Sequence, residues 1–358
     1  MLGIRNRSFY KVAVLCSFLL CVFVVFKIEP KQDLKTLFMR PFQYVEAYLR
    51  NVKDEGNVNG QWTGKQAKVT DEENAPALHN KFKEEEHVKR SNNIRIFNIT
   101  SNAIAYLNKC KRTSLRIPDG SNTPICIYEP KEDIFVSASI LKTGWWEKGN
   151  VEKVWNLMKP VNDMQFLDIG CNIGAFAIAI AKLGRRVTAV DANIVNLKML
   201  AASLRLGGLE KDVTLIWNGV SNETKYVYLR QARVNVGATM ILKATEQHPE
   251  DRENTVITVR LDDMLSLFEP KPFFIKMDIE IHEAIALQGA VAFFKEFDVR
   301  YVLIEWMHFK NKSNGGQFIL DFFIQRSFNP FVPWSQQGLE FKDAYTTWPG
   351  DVLWIRSN

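Results

Sequence analysis

The chain has 358 residues, 46% of them hydrophobic and 24% charged, with a formal net charge of +6. That length and apolar content are ample for one domain of ordinary size plus appendages. The Lys and Arg residues are scattered and form no run interleaved with aromatics, which excludes a nucleic-acid binder.

The N-terminus carries a separate message. Val12 to Phe26 is apolar throughout except for Ser17, and Arg5, Arg7 and Lys11 precede it. Fifteen helical residues span about 22 Å; counting from Phe9 to Ile28, with Lys11 and Lys27 snorkelling outward, gives about 30 Å, enough to cross a bilayer. No small-x-small cleavage site follows Phe26, since the chain continues Lys27-Ile28-Glu29-Pro30. An uncleaved signal anchor over 12–28 is therefore expected in place of a cleaved signal peptide. The basic flank keeps residues 1–11 cytoplasmic and the remainder luminal, as in a single-pass type II membrane protein of the ER or Golgi. A short span suits the thinner membranes of the early secretory pathway.

Lys31 to Asn51 has the apolar spacing of an amphipathic helix, interrupted by Pro41. Between Asn51 and Ile96 there are eight Lys/Arg and eight Asp/Glu and few large apolar residues, so 29–95 reads as a solvated stem or linker. Of the five cysteines, Cys16 and Cys21 lie in the apolar span, and Cys171 lies in a glycine turn that needs a small side chain. Cys110 and Cys126 flank a polar, turn-rich stretch from Arg112 to Pro124. In an oxidising lumen they are candidates for a disulfide, with two buried thiols as the alternative. Sequons at Asn98-Ile99-Thr100, Asn222-Glu223-Thr224 and Asn311-Lys312-Ser313 agree with a glycoprotein's luminal address.

The folded domain is expected to begin near Ile96 or Tyr106, with 96–160 as a lid region and 161–358 as the core. Cys126 to Tyr128 and Ile134 to Ser137 read as short strands, and Val151 to Met158 as a helix. Trp146 and Glu147 just before it are candidates for touching a cofactor; the alternative is that the Trp pair anchors the lid.

Phe166 to Ile169 is an apolar run broken only by Asp168, as at the end of a buried parallel strand. Gly170 and Gly174 bracket a tight turn, Ala175 to Leu183 reads as a helix, and Arg186 to Asp191 is a second strand ending in an acid. Such a βαβ unit binds a nucleoside, with Asp191 pairing the ribose hydroxyls. A dinucleotide fold wants G-x-G-x-x-G, whose amides close on a pyrophosphate. Here the spacing is Gly170-x-x-x-Gly174 with a carboxylate just ahead, which repels a diphosphate and suits a ligand with a positive end. S-adenosylmethionine, with its sulfonium, ammonium and ribose, fits; a nicotinamide cofactor does not.

Val195 to Leu206 reads as a helix and Val213 to Trp217 as a third strand. Asn218, with Gly219 and Val220, is either an edge for the adenine ring or an ordinary turn. Short strands at 225–229, 238–242 and 255–259 and a helix over Leu261 to Phe268 follow. Phe273 to Met277 is a buried strand with Asp278 and Glu280 at its carboxyl edge. Glu283 opens a helix to about Phe294 that carries Gly289. Val302 to Ile304 ends at Glu305, with His308 three residues on. Acids at successive strand ends converge on the edge where the cofactor would sit, and packed carboxylates are costly without a cation or hydroxyl to bind. Helix capping is the bland alternative.

Together, Asp168-x-Gly170-x-Asn172-x-Gly174, Lys276-x-Asp278-x-Glu280-x-x-Glu283 with Gly289, and Glu305 resemble the FkbM-type S-adenosylmethionine-dependent methyltransferases, over about Cys110 to the C-terminus. The resemblance implies an α/β fold with a doubly wound, mostly parallel seven-stranded sheet of the Rossmann-like class I kind. It implies O-methylation of a hydroxyl, often on a sugar or polyketide. By the same resemblance Asp168, Gly170, Asn172, Gly174 and Asp191 hold the cofactor, while Lys276, Asp278, Glu280 and Glu283 face the reacting hydroxyl. Ile281 departs from the family's usual glycine, and a β-branched residue resists a glycine-only φ. A catalytically silent scaffold is the alternative that this departure raises.

The chemistry requires a hydroxyl oxygen about 3 Å from a methyl carbon and a group to take its proton. Asp278, Glu280, His282 and His308 are candidate bases. A divalent ion held by Asp278 and Glu280 would serve instead by lowering the hydroxyl's pKa. The expected function is a membrane-anchored, luminal O-methyltransferase acting on a glycan or other secretory-pathway hydroxyl, with protein and small-molecule acceptors open.

Overall fold

The computed structural model describes residues 88–91, 93–232, 235–243, 254–335 and 337–357. The apolar span at 12–28, Cys16 and Cys21, and the stem as far as residue 87 lie outside them. Among the described residues, no helix is long and apolar enough to cross a membrane.

A hairpin of β1 (Val88–Ser91) and β2 (Ile94–Phe97) leads into α1 (Ile99–Tyr106). A second hairpin joins β3 (Lys111–Arg116) to β4 (Asn122–Ile127), and α2 (Val136–Thr143) and α3 (Lys148–Met158) follow. The chain then alternates through β5 (Gln165–Ile169), α4 (Ala175–Lys182), β6 (Val187–Asp191), α5 (Ile194–Gly207) and β7 (Val213–Trp217). A four-stranded annex contains β8 (Gly219–Val220), β9 (Tyr226–Ala232), β10 (Asn235–Lys243) and β11 (Thr255–Val259). After the 3-10 helix Leu261–Leu267 come β12 (Phe273–Met277), α6 (Glu283–Gln288), α7 (Val291–Glu296), β13 (Val299–Glu305), α8 (Asn314–Ile324), β14 (Phe328–Phe331) and β15 (Asp351–Arg356).

The main sheet has the order β1-β2-β7-β6-β5-β12-β13-β15-β14. From β7 to β13 neighbouring strands are parallel; β15 is reversed against β13, and β14 is reversed against β15. Those seven strands are the expected doubly wound core. The expectation of seven is corrected to nine, because β2 adds antiparallel to β7 through Ile96↔Ile216 and Phe97↔Leu215 and brings β1 with it; with the antiparallel pairings of β14 and β15, the sheet is mixed. Successive residues of the central strands bury on opposite faces. Phe166 and Phe274 pack on one side with α4 and α5, and Leu167, Ile169, Ile275 and Met277 on the other with α6, α7 and α8. Strands buried on both faces read as continuous apolar runs, which is why they were legible.

Other expectations change for physical reasons. The stem reading of 29–95 fails at its end, where 88–97 is a hairpin. Its anchor is Asn218, which accepts the Arg95 N–H (2.8 Å) and donates to the Asn93 and Ile257 carbonyls (3.1 and 3.0 Å). Ile134 to Ser137 enters a helix instead of a strand. Buried Asp133 accepts the amides of Phe135, Val136 and Ser137 and the Ser137 hydroxyl, a capping network that overrides β-propensity. The helix expected from Glu283 to Phe294 breaks at Gly289, where a Cβ would lie 2.3 Å from the Ser221 carbonyl oxygen.

Cys110 and Cys126 are joined, and the stretch between them is the β3–β4 hairpin, with a shorter turn than its composition suggests. The hairpin docks on α5, where the Cys126 N–H donates to Ser203 Oγ at 2.8 Å. The bridge closes a loop with a sequence separation of 16. Replacing both cysteines by Ser is expected to lower the unfolding free energy by about 3 kcal/mol in a denaturant titration, and an unchanged midpoint would mean the bridge is energetically idle.

Candidate active site

The carboxyl ends of β5, β6, β12 and β13 and the start of β15 meet along one edge of the sheet. After β5 the chain turns sharply. Gly170 (φ +78°) and Gly174 (φ +86°) are both left-handed, and a Cβ on Gly170 would lie 1.8 Å from the Asp278 carbonyl oxygen. The Asp278 N–H in turn donates to the Ile169 carbonyl at 3.0 Å. Only a glycine lets the two motif loops touch here.

Asp191, at the end of β6, is buried and accepts three hydrogen bonds. They come from the Asn172 amide (2.8 Å), the Asn193 amide (2.7 Å) and Asn196 Nδ2 (3.3 Å). Burial still pushes its carboxyl up to about 7. Asn196 Oδ1 accepts from the Tyr128 hydroxyl at 2.7 Å. Asn196 and Tyr128 were not singled out as site residues in the sequence. The only signal was the position of Asn196 five residues after the acid, near the start of a helix.

Asp168 and Lys276 are register partners on adjacent central strands. The buried Lys276 ammonium lies 3.9 Å from Asp168 and 3.1 Å from Asp278, and 5.1 Å from the Phe176 ring centroid. Both Asp168 oxygens are buried without a close hydrogen-bond partner. Burial pushes that carboxyl up to about 6, against the pull of Lys276 and, at longer reach, the Ala177 amide. The Lys276 ammonium is held charged by Asp278, Asp168 and Glu147 in spite of its burial.

Around this lysine stand further acids. Asp278 and Glu280 keep side-chain exposures of 35% and 28%. Glu280 Oε2 is 3.2 Å from His308 Nε2, and Glu305 Oε2 is 3.4 Å from the same nitrogen. Glu147, left-handed at the N-terminus of α3, shares Asn150 Nδ2 with Asp351, at 3.0 and 2.9 Å. Burial, and then the neighbouring Asp351, raises the Glu147 carboxyl. Burial followed by the charges of Asp278 and Glu280 holds Glu305 well above the carboxylate range. Asn150 and Asp351 had no signal in the sequence, because the last strand was not recognised.

Several expected residues play other parts. Glu283 is completely buried and accepts the Ile279 N–H at 2.9 Å, so it braces the 278–283 turn and does not face an acceptor. Burial pushes it up to about 7. His282 is not brought into the acid cluster; burial and then Lys225 lower its pKa. The amide of Asn218 is engaged with the hairpin and does not reach the pocket. Trp146 packs on the core as an anchor. Ile281 adopts φ +76° directly after Glu280 at φ +54°, so the glycine-type turn is retained with a β-branched residue inside it.

Residues 168–330 match the profile of the methyltransferase FkbM domain. This stretch is an FkbM methyltransferase domain. Over 93 residues, 26% of the chain, it is 32% identical to the ubiquinone biosynthesis O-methyltransferase of Caulobacter sp. (strain K31). The chain spans about a third of that curated relative's length, 34%. Remoter likenesses include an O-methyltransferase from Bacillus cereus solved in complex with SAH (14% identity, 59% of this chain and 80% of that one, TM-score 0.34). Another is a putative O-methyltransferase from Klebsiella pneumoniae (12% identity, 60% and 82%, TM-score 0.34). The architecture of the FkbM domain rests instead on the strand order given above.

Two outcomes follow from this geometry. Gly170→Ala is expected to cost at least about 2 kcal/mol of stability, whereas Ile281→Gly is neutral or stabilising by up to about 1 kcal/mol. Denaturant titration of both variants checks this, and the opposite ranking would contradict the strain at Ile281. The second concerns pH. Asp168, Asp191 and Glu283 hold their protons more tightly folded, at about 6 to 7, than unfolded, at about 4. Folding therefore takes up protons between those values, and stability falls as pH rises from about 4 to about 7. The raised pKa of His308 has the same sign. The ligand-free, chelator-treated protein should melt at a higher temperature near pH 5.5 than near pH 7.5. An equal or reversed order by scanning fluorimetry would refute this.

Proposed function

We propose that this chain is an S-adenosylmethionine-dependent O-methyltransferase of the ER or Golgi lumen. In this reading residues 12–28 tether it to the membrane, and its acceptor is a hydroxyl of a glycan or another secretory-pathway molecule. One observation carries the proposal: within an FkbM domain, the capped Asp191 and the buried Asp168, paired with Lys276, meet the partly exposed acids Asp278 and Glu280 along one sheet edge.

The residues present fit the cofactor. Asp168 offers two buried oxygens without close partners beside a glycine turn, a setting for a cationic ligand and not for a diphosphate. Asp191, fixed by Asn172, Asn193 and Asn196, is placed to accept hydroxyl protons of a ribose. When bound, S-adenosylmethionine supplies a methyl group on a positively charged sulfur. The chain's own task is then to hold an acceptor oxygen in line and remove its proton. Asp278, partly exposed and oriented by the Lys276 ammonium, is the residue we assign to that proton. The wall formed by Glu147, Asn150 and Asp351 supplies hydrogen-bonding groups suited to a polyhydroxylated acceptor. The Cys110–Cys126 bridge and the exposure of Asn98, Asn222 and Asn311, the three sequon asparagines, support a luminal address.

The test is calorimetric titration of the full chain in detergent with S-adenosylmethionine, beside NADH. Binding of the first alone is expected, weakened at least about tenfold by Asp191→Ala. Asp278→Asn should keep that binding yet slow release of S-adenosylhomocysteine with a panel of secreted glycans by about 10²–10⁴. A folded protein that binds neither ligand would be a scaffold that kept the fold without the chemistry.

A further inference from the structure

Among the described residues, Glu280, Glu305 and His308 each offer one donor atom, all within 4.8 Å of one another. His308 Nε2 sits between the two carboxylates, 3.2 Å from Glu280 and 3.4 Å from Glu305. A ring nitrogen carries at most one hydrogen. Glu280 is its hydrogen-bond partner, and Glu305 Oε2 is left buried with none. Glu283, at the start of α6, is wholly buried; one oxygen takes the Ile279 amide, and Oε2 has no hydrogen-bond partner. Its charge bears on both Glu305 and His308, so it belongs to the same electrostatic cluster. Lys276, the nearby ammonium, is already engaged with Asp278 and Asp168. Two carboxylates thus share one imidazole nitrogen, and Glu305 Oε2, 3.4 Å from it, makes no hydrogen bond. A proton on Nε2 serves one acceptor; a divalent ion in its place would serve both.

We propose that Glu280, Glu305 and His308 bind a divalent cation. Two carboxylates and an imidazole suit an ion of the manganese type. The site lies at the end of β13 and shares Glu280 with the Asp278–Glu280 pair that the sequence offers as a cation site. Three protein ligands leave open coordination positions, where a hydroxyl would be drawn in and made more acidic. That use in methyl transfer rests on the function proposed above; the binding of the ion does not.

The experiment is Mn²⁺ titration of the chelator-treated full chain, read as loss of the free-ion electron paramagnetic resonance signal. Saturable binding of a single ion is expected. Glu305→Gln and His308→Gln should each weaken it by about tenfold or more while leaving the thermal midpoint near that of the parent. Should Glu305→Gln fail to fold, His308→Gln decides. Absence of saturable binding, or binding that neither folded variant weakens, overturns the site. Calorimetry with S-adenosylmethionine on the same samples separates the two proposals. Cofactor binding without Mn²⁺ binding overturns the metal site and leaves the transferase reading standing. Mn²⁺ binding lost in the variants, in a chain that ignores the cofactor, supports the site and overturns the transferase reading.

Discussion

The buried ammonium of Lys276 is the constraint on which the pocket depends. It lies between Asp168 and Asp278, on a strand whose register sets it opposite Asp168. A buried charge is costly unless it is paired, and breaking such a pair leaves the partner stranded. One lysine therefore ties together two motifs that are far apart in the chain. It does not neutralise the acids around it. Glu147, Glu283, Glu305 and Asp351 all have carboxyls raised by burial first, and by the charge of Asp278 to a lesser degree. The result is an edge with excess acid, open to cationic and hydroxylated ligands and hostile to phosphate.

Close approach does the remaining positioning. Gly170 leaves room for the Asp278 carbonyl, Gly289 for the Ser221 carbonyl, and the Glu283 carboxylate ties down the Ile279 amide. Between these fixed points Glu280 and Ile281 are both held left-handed. Such conformations persist when the surroundings over-determine them. The Ile281 backbone thus follows its neighbours more than its own preference, and the replacement of a glycine has not undone the turn.

The central strands and the βαβ unit were legible because burial on both faces leaves continuous apolar runs, interrupted only by the buried ion pair of Asp168 and Lys276. The glycines of the first turn were legible for the same local reason. What escaped was set by distant partners. Arg95 sits in a charged stretch, and its role depends on Asn218. Ser137 lies in a β-prone run, and the buried carboxylate of Asp133 makes it helical. Asn218 stays open between a cofactor edge and a turn in the sequence, because its neighbours across the sheet cannot be seen from a strand end. Asp351 gave no signal at all, and Glu283 gave the wrong one, since facing a pocket and bracing the loop beneath it use the same residue type.

The hairpin on the outer edge of β7 bears on the order in which the chain assembles. Its bond from Arg95 to Asn218 spans 123 residues. In a chain made from its N-terminus, β2 cannot find its place until β7 has been synthesised. The β3–β4 hairpin and its disulfide, by contrast, close over a separation of 16. Local pairing thus precedes the long-range clasp, as loop entropy favours. Until the clasp closes, β2 and β7 each present an unpaired edge, the kind of surface on which chains mispair. The clasp thus joins one of the first parts of the domain to be made to a strand made well after it.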